Sequence, residues 1–198
     1  MTAAGAQPPN AFIRQLPKAE LHLHLEGAVE PATLVELRKR HGESATLAET
    51  EKLYRYNDFP SFLMAFKEVS AHLRGPEDYE LATYRLMQQL KEENVLHAEV
   101  YVSVGVCLYR KQDFDAIFEG LERGRARGAR DFGVSLLWLF DATRHFGVEE
   151  AQKVFELAVR YKSRHVIGVG IGGDEQKAPP ELFRGVYLYA ADHGLRLT

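Results

Sequence analysis

Segments that read as strands begin near residues 20, 97, 134, 166 and 195, and a helical stretch separates each from the next. The last three intervals, about 37, 32 and 29 residues, are those of ordinary βα repeats. A strand, a helix and a second strand at that spacing close into a right-handed βαβ unit on a parallel sheet. Two architectures meet this condition, a doubly wound sheet and a (β/α)8 barrel. A doubly wound nucleotide binder carries a Gly-rich turn directly after its first strand, whereas here the first strand ends in Leu25-Glu26-Gly27-Ala28. The expectation is an α/β chain of the (β/α)8 TIM-barrel type. It would hold about the first four βα units plus the start of strand five, because a whole barrel takes about 250 residues and the sequence has 198.

Periodicity assigns the elements. Ala19 to Glu26 alternates strictly, with leucines on one face and Glu20, His22, His24 and Glu26 on the other. Pro31 opens a helix that ends at Gly42. Helical stripes follow around Tyr79 to Glu93, at Phe114, Ile117, Phe118 and Leu121, at Ala151, Val154, Phe155 and Ala158, and at Leu182 to Tyr189. Strands are expected at His97 to Ser103, Val134 to Phe140, Val166 to Ile171 and from Leu195. Residues 1–12 read as a mobile N-terminal tail. The first interval carries roughly forty extra residues, so 41–78 is expected as an inserted helical region serving the active-site end.

Composition narrows the function. No window approaches the ~18 apolar residues of a membrane span, and MTAAGAQPPNAF lacks the basic start and apolar core of a signal peptide. A cytoplasmic location with no membrane partner is expected, in keeping with the single cysteine, Cys107. A net charge of -3 speaks against a nucleic-acid partner. Arg123, Arg125, Arg127 and Arg130 form the one basic cluster, and they read as the solvated end of a helix.

His22-Leu23-His24 carries the sharpest chemical signal. Two histidines one residue apart on a strand project from the same face, so both imidazoles reach one metal ion, or else form a hydrogen-bonded pair. The context favours the metal: a face reading Glu20, His22, His24, Glu26 is poor core material, since each polar group needs a partner.

The run Leu16-Pro17-Lys18-Ala19-Glu20-Leu21-His22-Leu23-His24-Leu25-Glu26-Gly27 closely resembles the first strand of the adenosine deaminase family, within the metal-dependent amidohydrolase superfamily. His97-Ala98-Glu99-Val100-Tyr101-Val102-Ser103 is similar to the family's second strand, and Gly172-Gly173-Asp174-Glu175 to the signature that ends its fourth. By this resemblance residues 13–198 are the N-terminal half of a metal-dependent deaminase barrel. His22 and His24 would be zinc ligands, and Glu26 would stand near the sugar or its equivalent. Gly173 would offer its backbone N–H to a purine ring nitrogen, although a tight turn explains that glycine equally. Phe59, Phe62, Leu63 and Phe66 form a helical stripe that is either core or, as the resemblance implies, an apolar lid over the substrate. Gly168, Gly170 and Gly172 share a strand face and would leave the lumen open to a flat ring. Arg144-His145 lies at the mouth by topology or is a surface pair.

The implied activity is zinc-dependent hydrolytic deamination of adenosine, adenine or a related 6-aminopurine compound, with release of ammonia. Gly170 stands where many adenosine deaminases have aspartate, and Glu26 where the animal enzymes have aspartate. Both departures point as much to adenine or aminodeoxyfutalosine as to adenosine. No catalytic acid or base is expected within this chain: the family's HAGE motif and the rest of the Zn2+ shell would lie beyond Thr198. The alternative is a catalytically inactive half-barrel that associates with another chain, or with itself, through the open barrel edge.

Overall fold

The computed structural model describes residues 11–173, 175 and 178–198. The expected tail therefore falls outside the described residues up to position 10; Ala11 and Phe12, assigned to it above, lie in a short helix, α1 (Ala11–Gln15).

Five parallel strands form one sheet in chain order: β1 (Lys18–His24), β2 (Val95–Val102), β3 (Ser135–Thr143), β4 (Val166–Gly172) and β5 (Arg196–Leu197). Between β1 and β2 run α2 (Pro31–Arg40), α3 (Leu47–Leu53), α4 (Phe59–Ser70) and α5 (Pro76–Glu92). α6 (Val104–Tyr109) and α7 (Phe114–Phe132) join β2 to β3, α8 (Val148–Tyr161) joins β3 to β4, and α9 (Arg184–Asp192) joins β4 to β5. Sequential order with every strand parallel is the pattern of a (β/α)8 barrel, and the chain forms part of one.

The sheet has an outer and an inner side. Ala98, Val100 and Val102 of β2 pair in register with Leu136, Trp138 and Phe140 of β3, and all six are buried against the helices. Trp138 also donates its indole N–H to Glu122 of α7 at 2.9 Å. The inner side of the same strands carries Tyr101, Leu139 and Asp141, which pairs with Gly170 of β4.

α5 and α7 pack closely because Gly120, Gly124 and Gly128 line one side of α7. A Cβ on Gly124 would lie 2.6 Å from the carbonyl oxygen of Glu80. Two of the four clustered arginines take part in this contact: Arg123 and Arg127, one turn apart and half-exposed, clasp Glu80 of α5 at 2.8 and 2.7 Å, while Arg125 and Arg130 pair with acidic residues of α7 itself.

The segment 41–78 holds α3, α4 and the start of α5. Each new helix is started by its own capping box, Thr46 with Glu49 and Asp58 with Ser61, which satisfies orphan N–H groups at the two N-termini. The C-terminal end of α4 is tied down by Arg110, whose guanidinium donates to the Ser70 carbonyl at 2.6 Å.

Candidate functional site

β1 does not keep the alternation its sequence suggests. Glu20 pairs with the core residue Ala98, yet Leu23 pairs with Val100, so three residues of β1 span two of β2. This bulge changes the phase of the strand. Glu20 falls on the outer side with Ala98, while His24 pairs with Tyr101 on the inner side. The expectation that Glu20 shares a face with the histidines is thereby corrected. Leu21, at the irregularity, is 58% exposed.

His22 and His24 do lie together. Their ring centroids are 5.4 Å apart, and both rings stack on Tyr101, at 4.5 and 4.9 Å with interplanar angles of 25° and 23°. Burial, and secondarily the neighbouring His22, hold the His24 pKa below its ordinary value. A neutral imidazole presents the lone pair that a metal ion takes. Two adjacent nitrogen donors fit half of a zinc shell; among the described residues no group of three or more His, Cys, Asp or Glu is arranged to hold a metal.

Glu26 does not continue the strand face. It opens a 3-10 turn (Glu26–Ala28) and is buried. Its Oε1 accepts the backbone N–H of Ser103, at the end of β2, at 2.8 Å, and Oε2 has no partner among the described residues. Burial raises its pKa against the lowering effect of that hydrogen bond.

Asp141, on the inner side of β3, is another buried carboxyl group. Burial, with the nearby Glu26 adding to it, pushes its pKa up to about 7. Sequence reasoning passed over Asp141 because it follows directly on the apolar run Val134 to Phe140, where the strand was expected to end, whereas β3 continues to Thr143. An acidic residue at the C-terminal end of a barrel strand was the available signal.

The three glycines of β4 face inward, but the space before them is filled. Cβ atoms on Gly170 would fall 2.9 Å from Cε1 of Tyr101, on Gly168 2.9 Å from Leu139 Cδ2, and on Gly172 3.0 Å from Asp141 Oδ2. The expected open lumen is therefore corrected: the glycines accommodate side chains from β2 and β3 together with Arg196 and Thr198 at the β5 edge. Gly173, just beyond β4, has φ +109°, a conformation that disfavours any side chain, and a Cβ there would sit 3.4 Å from Nδ1 of His145. Arg144 and His145 thus border Gly173, and the Arg144 side chain is mostly buried. Asp174 of the signature lies outside the described residues.

Phe59, Phe62, Leu63 and Phe66 run along α4. Consecutive rings contact each other at 6.1 and 6.3 Å, and Tyr56 joins edge-on to Phe62 at 5.2 Å. The face is not core: Phe59 is 65% and Leu63 44% exposed, while α4 buries Ala65 and Val69. A Cβ on Gly27 would be 3.6 Å from the Phe66 ring, so the inner end of the stripe rests on the turn that follows the histidines.

Cys107 is a buried thiol facing the Tyr79 hydroxyl at 3.2 Å, and burial pushes its pKa up to about 12. It is no nucleophile. No helix among the described residues is long and apolar enough to cross a membrane.

Comparison with known proteins adds to this geometry. A sequence model described as adenosine deaminase matches residues 17–198. An adenine deaminase of Vibrio parahaemolyticus is 31% identical over 189 residues, which is 94% of this chain and 56% of that protein. An aminodeoxyfutalosine deaminase of Streptomyces avermitilis is 32% identical over 192 residues, 94% of this chain and 54% of its own length. In three dimensions the chain is similar to an amidohydrolase from Burkholderia ambifaria solved with bound zinc, with TM-score 0.85, 27% identity, and coverage of 98% of this chain and 55% of that one. The chain spans about half the length of the curated relatives it matches.

Proposed function

Since the chain belongs to the adenosine deaminase family, we propose that it supplies the first half of the active site of a hydrolytic deaminase acting on a 6-aminopurine. The observation that carries this reading is the pair of inward imidazoles, His22 and His24, at the end of β1, followed in the next turn by the buried carboxyl group of Glu26. A zinc ion held by the two histidines would supply a Lewis acid able to make water nucleophilic at neutral pH.

The residues of the chain have separate tasks. His22 and His24 offer nitrogen lone pairs, and the lowered pKa of His24 favours its neutral ring. Glu26, fixed by the Ser103 N–H, keeps a second, unpaired oxygen buried in the turn after β1, and the resemblance assigns this position to the substrate's sugar side. Gly173 allows a purine edge to approach the backbone, because a side chain at that φ is disfavoured. Phe59, Phe62, Leu63 and Phe66 cover the base and exclude water, as a lid does. By the resemblance, the acid and base that move protons on the ring would come from the part of the relatives that this chain does not match.

The departures at Gly170 and Glu26 support adenine or aminodeoxyfutalosine alongside adenosine, and the relatives described above include both kinds of deaminase. The test is zinc content with ammonia release from adenine, adenosine and aminodeoxyfutalosine. The chain by itself is expected to lose zinc on dialysis, because catalytic zinc sites usually keep three protein ligands. Stoichiometric zinc that survives dialysis of the chain alone would contradict the division of ligands between two halves.

A further inference from the structure

We propose that Tyr101 is a positioning residue for the two histidines, and that Gly170 is glycine to make room for it. This rests on the reading of His22 and His24 as metal ligands, and it goes beyond that reading by naming what fixes their rings.

Tyr101 is 3% exposed, inward-facing, and stacked on both imidazoles at once. A strand bearing a bulge beside its ligands does not define their ring orientation through its backbone alone. The planar phenol ring supplies that definition by limiting how each imidazole can turn. Its far side meets β4, where a Cβ on Gly170 would come 2.9 Å from Cε1 of Tyr101 and 2.8 Å from Oγ1 of Thr198. Even a methyl group at position 170 must displace the ring as well as the Thr198 hydroxyl. The departure at Gly170 and the aromatic at position 101 are thus two halves of one packing arrangement. Residues that orient metal ligands typically change metal affinity by about 10- to 100-fold when removed.

The experiment follows histidine ring resonances by NMR during titration with zinc alone, with His22→Ala and His24→Ala identifying the two signals. In the zinc-free protein, stacking on Tyr101 should displace both sets of ring protons. Tyr101→Phe, which keeps the ring, should retain those displacements and the zinc affinity. Tyr101→Leu should lose the displacements and weaken zinc binding by about tenfold or more. Gly170→Ala should act in the same direction without touching either histidine, and should add less in the Tyr101→Leu background than alone. Circular dichroism verifies that each variant is folded, and if Tyr101→Leu does not fold, Tyr101→Phe and Gly170→Ala still decide the matter. A folded Tyr101→Leu with unchanged resonances and zinc affinity would overturn the inference, as would equal damage from Tyr101→Phe and Tyr101→Leu. Should His22→Ala leave the zinc titration unchanged, the metal reading fails instead, and the zinc-free resonances still judge whether Tyr101 orients the rings.

Discussion

Glu26 accepts the backbone N–H of Ser103 at 2.8 Å, and with the bond from Leu25 N–H to the Tyr101 carbonyl at 2.9 Å it joins the turn after β1 to the end of β2. The geometry separates two properties of the side chain. Glu26→Gln keeps a carbonyl oxygen for Ser103 and removes a buried charge. The pKa of Glu26 is raised on folding, so its stabilising contribution is complete below the ordinary value of 4.5 and is lost as pH rises through the folded value. The glutamine variant should therefore be at least as stable as the wild type at pH 8 in urea unfolding, yet bind a purine substrate more weakly. Equal substrate affinity in the two proteins would remove Glu26 from the site.

Asp141 predicts a pH dependence of its own. With an ordinary value of 3.8 and a folded value of about 7, it favours the folded state fully below 3.8, and that contribution is lost between 3.8 and about 7. At about 1.4 kcal/mol per unit, the loss is of the order of a few kcal/mol. Asp141→Asn should flatten this part of the stability profile, leaving the slope contributed by Glu26. An unchanged profile from pH 4 to 7 would show that Asp141 ionises normally.

Much of the barrel was legible because its outer layer follows simple periods. β3 and β4 were visible as apolar runs, and α7 and α8 as stripes at helical spacing, since burial against one layer writes a single period into each. β1 was misread at Glu20 because a bulge leaves no mark in a sequence whose residues still alternate. Tyr101 was equally opaque: an aromatic in an alternating strand reads as core until the partner across the sheet is known. The histidine pair was legible from local spacing alone, whereas Gly170 acquired a reason only when β2 and β4 were brought together.

The aromatic face of α4 should behave as a cover. Phe59→Ser and Phe62→Ser should weaken purine binding. Phe59→Ser, at an exposed position, should shift stability by no more than about 0.5 kcal/mol. Leu73→Ala, just after α4 and fully buried, should instead cost about 2–5 kcal/mol. A collapsed melting temperature for Phe59→Ser, with normal affinity in the folded fraction, would return the stripe to the core.

The seam between α5 and α7 depends on closeness more than on charge. Gly124→Ala places a methyl 2.6 Å from the Glu80 carbonyl oxygen and should destabilise by about 1–3 kcal/mol or more as the helices separate. Glu80→Gln removes two half-exposed ion pairs and should cost no more than about 1 kcal/mol. Denaturant midpoints that reverse this order would contradict the account of the seam.

Ammonia release from adenine, adenosine and aminodeoxyfutalosine tests the central claim most directly, measured with the second half of the barrel present, in one chain or as a separate one. The account predicts turnover that a zinc chelator stops, that added zinc restores, and that His22→Ala combined with His24→Ala abolishes along with bound zinc. Unchanged turnover in the doubly substituted protein would contradict it.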